Sequence, residues 1–171
     1  MTTTDYLISA ALILLVIPQM RGGRLTPRTL LLPLVSVSAA AAHYLHSFPT
    51  QGHDVQLDLF GVTIGIVLGL ASGLATRVSL TEDGAAYSKA GWLAALLWVL
   101  GMGARSAFVY WAEHSGAHTI AQFSRDNLIT GTAAWTAALL LMAVTQVVCR
   151  LVVVRVRAYR LTSPLAAPAV A

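Results

Sequence analysis

The chain has 171 residues, of which 57% are hydrophobic and 11% charged, and its mean hydropathy is +0.72. A soluble domain carries about 25% charged residues to wet its surface; this chain falls far short, and lipid-facing surface accounts for the deficit. The composition also excludes a disordered tail, a collagen-like rod and a disulfide scaffold, and the single cysteine, Cys149, leaves no internal disulfide and no CxxC pair.

A membrane-crossing helix needs about 20 mostly apolar residues. Five runs in chain order meet that length: 2–20, 29–48, 58–76, 90–112 and 127–149. Each backbone amide in lipid must be satisfied within its own segment, which predicts helices. The expected fold is all-α: an integral membrane bundle of five transmembrane helices in one domain over 1–160, followed by a disordered tail at 161–171 with two prolines. The stretch LVVVRVRAYRL after Cys149 extends the fifth helix past the interface.

Basic residues set the orientation. The connection 21–28 holds three arginines, 77–89 holds Arg77 and Lys89, and the tail holds Arg150, Arg155, Arg157 and Arg160. Nine of the eleven Lys and Arg thus fall on one side of a five-span chain. Positive residues mark the cytoplasmic side, so the N-terminus is expected outside and the C-terminus in the cytoplasm. That distribution accounts for the net charge of +4 without a nucleic-acid partner. Trp92, Trp111, Tyr6, Tyr44, Tyr87 and Tyr110 fall near the expected interfaces, as belt residues do.

The third run carries Gly61, Gly65, Gly69 and Gly73, a stripe spaced by four on one helix face. Small residues let helix backbones approach where lipid offers no hydrophobic drive. The stripe implies a tight contact with a neighbouring span or with a second copy in a homodimer. The second run, rich in Ser36, Ser38 and Ala39 to Ala42, is the first expected partner.

Arg105 interrupts the fourth run about eight residues, roughly 12 Å, from its outer end. A guanidinium at such depth is costly and marks a functional position. Two readings stand: it snorkels outward or pairs with an acid, or it lines a cavity and binds an anion. Trp98 and Phe108 share its helix face and complete the candidate ligand-binding set. Thr132, Thr136, Thr145 and Gln146 supply polar groups for contacts between helices.

All five histidines (His43, His46, His53, His114, His118) and five of the seven acids fall in the outer half. His43 and His46 share a face, as do His114 and His118 if the fourth helix continues past Gly116. These four are candidate ligands for a divalent metal or for haem. His43, Asp58 and Glu113 are candidate acid–base partners of Arg105 for an enzyme acting on a lipidic or isoprenoid substrate. The bland alternative is a solvated outer face, with Asp58 and Asp126 opening helices at the positive dipole end.

The layout resembles the CcdC-like small membrane proteins of bacteria. The likeness is carried by RTLLLP (28–33), GLATRVSLTEDG (73–84) and YSKAGWLAALLWVLGMGAR (87–105). It implies five spans in a bacterial inner membrane, with Lys89 and Arg105 as the family's basic pair around the fourth. The family is associated with cytochrome c biogenesis genes and its activity is largely unassigned; a lone Cys149 does not suit a thiol-redox role. The expected function is therefore that of a multi-pass membrane protein binding a ligand, lipid or partner membrane protein beside Arg105, with enzyme and haem or metal protein as alternatives.

Overall fold

A computed structural model describes residues 51–83 and 86–163, together with Gly23, Arg24 and Val35. The runs at 2–20 and 29–48, with Tyr6, His43, Tyr44 and His46, lie outside the described residues, as does the tail beyond residue 163. In chain order the elements are β1 (Gly23–Arg24), α1 (Asp54–Ala75), β2 (Thr76–Leu80), β3 (Ala86–Ala90), α2 (Trp92–Glu113), α3 (Ala117–Asp126) and α4 (Thr132–Thr162). Three of them, α1, α2 and α4, are long and apolar enough to cross a membrane.

The helix α1 turns its glycine stripe onto α4. A Cβ on Gly61 would lie 2.5 Å from the carbonyl oxygen of Ala138, and one on Gly65 would lie 2.5 Å from that of Met142. On Gly69 it would meet the Gln146 carbonyl oxygen at 2.6 Å, and on Gly73 the Val153 Cβ at 2.8 Å. No side chain fits at these positions, so the two backbones sit face to face. Residue numbers rise together along both helices, so α1 and α4 run parallel. The partner of the stripe is thus the fifth run rather than the second. The small residues that matter are on α4, where Ala134, Ala137 and Ala138 are buried. The helix α2 runs antiparallel beside them: Phe108 packs near Trp135, while Ala95 and Trp98 pack with Val147 farther along α4.

The connection at 77–89 forms a β-hairpin, which the hydropathy pattern did not show, and β1 joins it in the order β1-β3-β2. The fold is therefore a helical bundle with a small antiparallel sheet at one end. Five-residue strands joined by a short polar turn are within reach of ordinary hairpin geometry, but flanking hydrophobic runs dominate the pattern. Pairing of Gly23 with Ser88 and Arg24 with Tyr87 brings the first and third connections together. The long helix α4 reaches the same end. Its 31 residues span about 46 Å at 1.5 Å each, well beyond a hydrocarbon core of about 30 Å. It continues to Thr162, two residues into the stretch expected as tail. There Arg157 donates from Nη1 to the carbonyls of Gly73 (3.2 Å), Leu74 (2.9 Å) and Thr76 (2.6 Å). Gly73 and Leu74 belong to the last turn of α1 and Thr76 is the residue that follows it, so the cation meets the negative dipole end of the helix.

The opposite end is closed by a polar latch. Asp54, the buried first residue of α1, accepts hydrogen bonds from the Thr130 amide at 2.8 Å and from the Thr130 hydroxyl. The His53 amide donates to the Leu128 carbonyl at 3.2 Å, and His53 Nδ1 to the Asn127 carbonyl at 2.9 Å. The latch moves two helix starts from their expected places. Asp54, not Asp58, opens α1, and Asp126 closes α3 instead of opening the last helix, which begins at Thr132.

Candidate functional site

The side chain of Arg105 turns toward the middle of α2. Long side chains on a helix lean toward its N-terminus, and here that direction leads away from the nearer helix end. Nη2 lies 3.1 Å from the Met102 sulfur, and Nη1 donates to Gln146 Oε1 on α4 at 3.1 Å. Met102 is the midpoint of α2 (Trp92–Glu113), about 15 Å from either end. Among the described residues the guanidinium points away from the nearer helix end and its hydrogen-bond partner on α4 is a neutral amide, not an acid.

Gln146 is the hub of the three long helices. It is 1% exposed. Its backbone abuts Gly69 of α1, and its amide abuts Gly101 of α2, where an added Cβ would lie 2.9 Å from Nε2. Oε1 must face Arg105, because the reverse orientation would set N–H against N–H. Nε2 is then a buried donor with no hydrogen-bond partner among the described residues. The indole Nε1 of Trp98 is a second buried donor in the same condition. Two orphan donors and a guanidinium with neutral partners make this stretch of the α2–α4 seam rich in donors and poor in acceptors. Sequence spacing singled out Arg105 and Trp98. Gln146 was legible only as one polar residue among several on its helix, since no spacing rule connects two separate helices.

The remaining candidates fall into place around this centre. Phe108, one turn from Arg105, belongs to an aromatic cluster: its ring lies 5.2 Å from Trp135 and 6.2 Å from Trp111. Trp135 also packs 6.1 Å from Phe123, and its Nε1 donates to Ser124 Oγ at 3.1 Å, which ties α3 to the bundle. Arg150 lies with its guanidinium 5.4 Å from the centroid of the Trp98 ring, a cation–π distance. Glu113 ends α2, two turns beyond Arg105 and on the side from which that side chain points away. Asp58 sits one turn into α1, and its Oδ1 is buried without a hydrogen-bond partner among the described residues.

The histidine pair His114 and His118 is not assembled. The helix α2 stops at Glu113, and the chain reverses through Gly116, whose amide donates to the Trp111 carbonyl at 2.7 Å. A Cβ on Gly116 would strike the Trp111 ring. His114 instead stacks on Tyr110 at 4.2 Å, with Nδ1 2.8 Å from that residue's carbonyl oxygen. His118 belongs to α3. Among the described residues no three of His, Cys, Asp and Glu gather as a metal site.

Trp92 and Trp111 bracket α2, about 28 Å apart at the helical rise, close to the thickness of a hydrocarbon core. Trp92 is 74% exposed. Long apolar helices, exposed apolar faces and a close-packed small-residue seam define a helical membrane protein. No protein-family model, curated protein or solved structure matches the chain.

Proposed function

We propose that this is a multi-pass protein of a bacterial plasma membrane that binds an acceptor-rich, anionic group at the Arg105–Gln146 centre. The group would be the carboxylate or phosphate of a ligand or lipid, or an acid on a partner membrane protein. The observation that carries the reading is the guanidinium near mid-helix, held among the described residues by the neutral Gln146 and Met102, with orphan donors on Gln146 and, two turns earlier on α2, on Trp98. A charge at that depth costs about 2.5–3.5 kcal/mol on insertion scales, and a neutral amide offsets only part of it. An anion would satisfy the fork of Arg105 in two places and would take the spare donors as well.

Five spans, an outside N-terminus and a cytoplasmic C-terminus complete the proposal. They are supported by the basic residues of the connections and tail, several of which share the sheet end. The likeness to CcdC-like proteins agrees with this layout and contributes no activity.

Parallel purification of the natural protein and Arg105→Gln tests the site. Glutamine keeps an amide against Gln146 and removes the charge. Organic extracts of the natural protein are expected to contain an anionic lipid or small molecule that the variant lacks, measured by mass spectrometry; a partner protein would instead appear as a co-purifying band. Identical extracts and identical partners from both proteins would overturn the reading.

A further inference from the structure

We propose that Arg77 and Lys89 form a clamp for the phosphate of an anionic phospholipid at the sheet-end surface of the membrane. The hairpin register places these two residues directly opposite each other on β2 and β3. Opposed residues of an antiparallel pair project from the same face with Cβ atoms about 4.5–5.5 Å apart, and like charges so placed repel. The other face of the hairpin is the packed one, with Thr76 and Ala90 buried, while Arg77 and Lys89 are exposed. The hairpin's own acids do not relieve the repulsion. Glu82 is five residues from Arg77 along the strand and turn, about 16 Å at the strand rise, and Asp83 lies beyond it. Topology alone would be served by two cations anywhere in this connection. Their cross-strand opposition is favourable when an anion lies between them.

The surroundings select a lipid over a soluble anion. Arg77 stands two residues beyond α1, and Lys89 three residues before Trp92, the exposed tryptophan that opens α2. That is headgroup level for helices of this length. Leu74, Trp92 and Leu93 are exposed just below the clamp and supply apolar surface for acyl chains. Arginine grips a phosphodiester through two parallel N–H groups, and lysine adds a point charge.

The test is native mass spectrometry of the detergent-solubilised protein with added phosphatidylglycerol or phosphatidylcholine. A membrane-surface cation favours an anionic lipid by about fivefold, so the pair should favour phosphatidylglycerol by about thirtyfold. Arg77→Gln with Lys89→Gln should bring that preference close to unity, whereas Arg155→Gln with Arg160→Gln should leave most of it. A second variant, Arg77→Glu, converts the repelling pair into an ion pair. It should raise thermal stability while abolishing the preference, a combination that a purely structural pair would not give. Undiminished preference in the glutamine pair would overturn the proposal. So would inorganic phosphate binding at the hairpin with no discrimination between the two lipids.

Discussion

Gln146 is the residue on which the three long helices agree. Its backbone fills the space left by Gly69, its amide fills the space left by Gly101, and its Oε1 receives Arg105. Hydrogen bonds to charged groups contribute about 1.5–3 kcal/mol, and removing one partner of a buried charge exposes the full desolvation cost. Gln146→Leu should therefore lower the stability of the purified protein by an amount in that range, read by thermal unfolding in detergent. Arg105→Met should be neutral or stabilising in ligand-free protein, because it deletes a charge that lipid disfavours. The double variant should recover most of the loss, and a double-mutant cycle measures the coupling. A neutral Gln146→Leu would mean that the amide does not hold the guanidinium. At this scale the sequence revealed half of the pair. An arginine inside an apolar run is conspicuous, while a glutamine near the end of one is ordinary, and their meeting depends on how α2 and α4 are set against each other. The same limit applies to Asp54, whose value lies in reaching Thr130 across 76 positions of the chain.

Among the elements, α1 and α4 owe their contact to missing side chains. Lipid solvates leucine as well as a neighbouring helix does, so association needs close backbone approach. Gly69→Ala would set a Cβ 2.6 Å from the Gln146 carbonyl oxygen and 2.7 Å from the Cys149 Cβ. Backbone atoms cannot swing aside, so α1 and α4 must separate. Overpacking of this kind costs about 1–3 kcal/mol. Gly103→Ala is the matched control: it is also inside a helix, nothing lies within 4 Å of its added Cβ, and helix propensity favours alanine by about 1 kcal/mol. Thermal unfolding should therefore move in opposite directions for two chemically identical substitutions. Equal shifts would show that the glycine face is not the seam. The stripe was readable because its period of four is a property of one helix. The identity of its partner was not, because small residues crowd two other runs and composition does not rank them. The hairpin was hidden for a different reason: five-residue strands beside 22-residue apolar helices leave little periodicity to detect, and a polar turn reads equally well as a loop. The break at Gly116, which separates His114 from His118, depends on the Trp111 ring filling the space where a Cβ would be.

For the whole molecule, the two ends differ in chemistry and in construction. At one end the sheet joins residues 23–24 to the 76–90 hairpin, and Arg157 caps α1 beside it. Arg77, Lys89, Arg155, Arg157 and Arg160 are gathered there from connections and tail that the sequence places on one side. At the other end the latch of His53, Asp54, Asn127 and Thr130 carries one carboxylate, and a single cation, Arg125 in the last turn of α3, stands next to it. Anionic headgroups and the membrane potential both hold such basic segments on the cytoplasmic face, so the latch should face outward. Cysteine labelling in intact cells decides this. On a Cys149→Ala background, which leaves the chain without a thiol, Gln122→Cys places one on exposed α3 and Glu82→Cys places one in the hairpin turn. A membrane-impermeant maleimide should label position 122 in intact cells and position 82 only after permeabilisation. The reverse pattern would put the sheet outside, and the lipid clamp would then meet the external leaflet. Labelling of both positions in intact cells would mean that α2 does not cross, because the two sites lie beyond its opposite ends. The mid-helix guanidinium would then stand in water, where a neutral partner costs little, and the reason for placing an anion beside it would disappear.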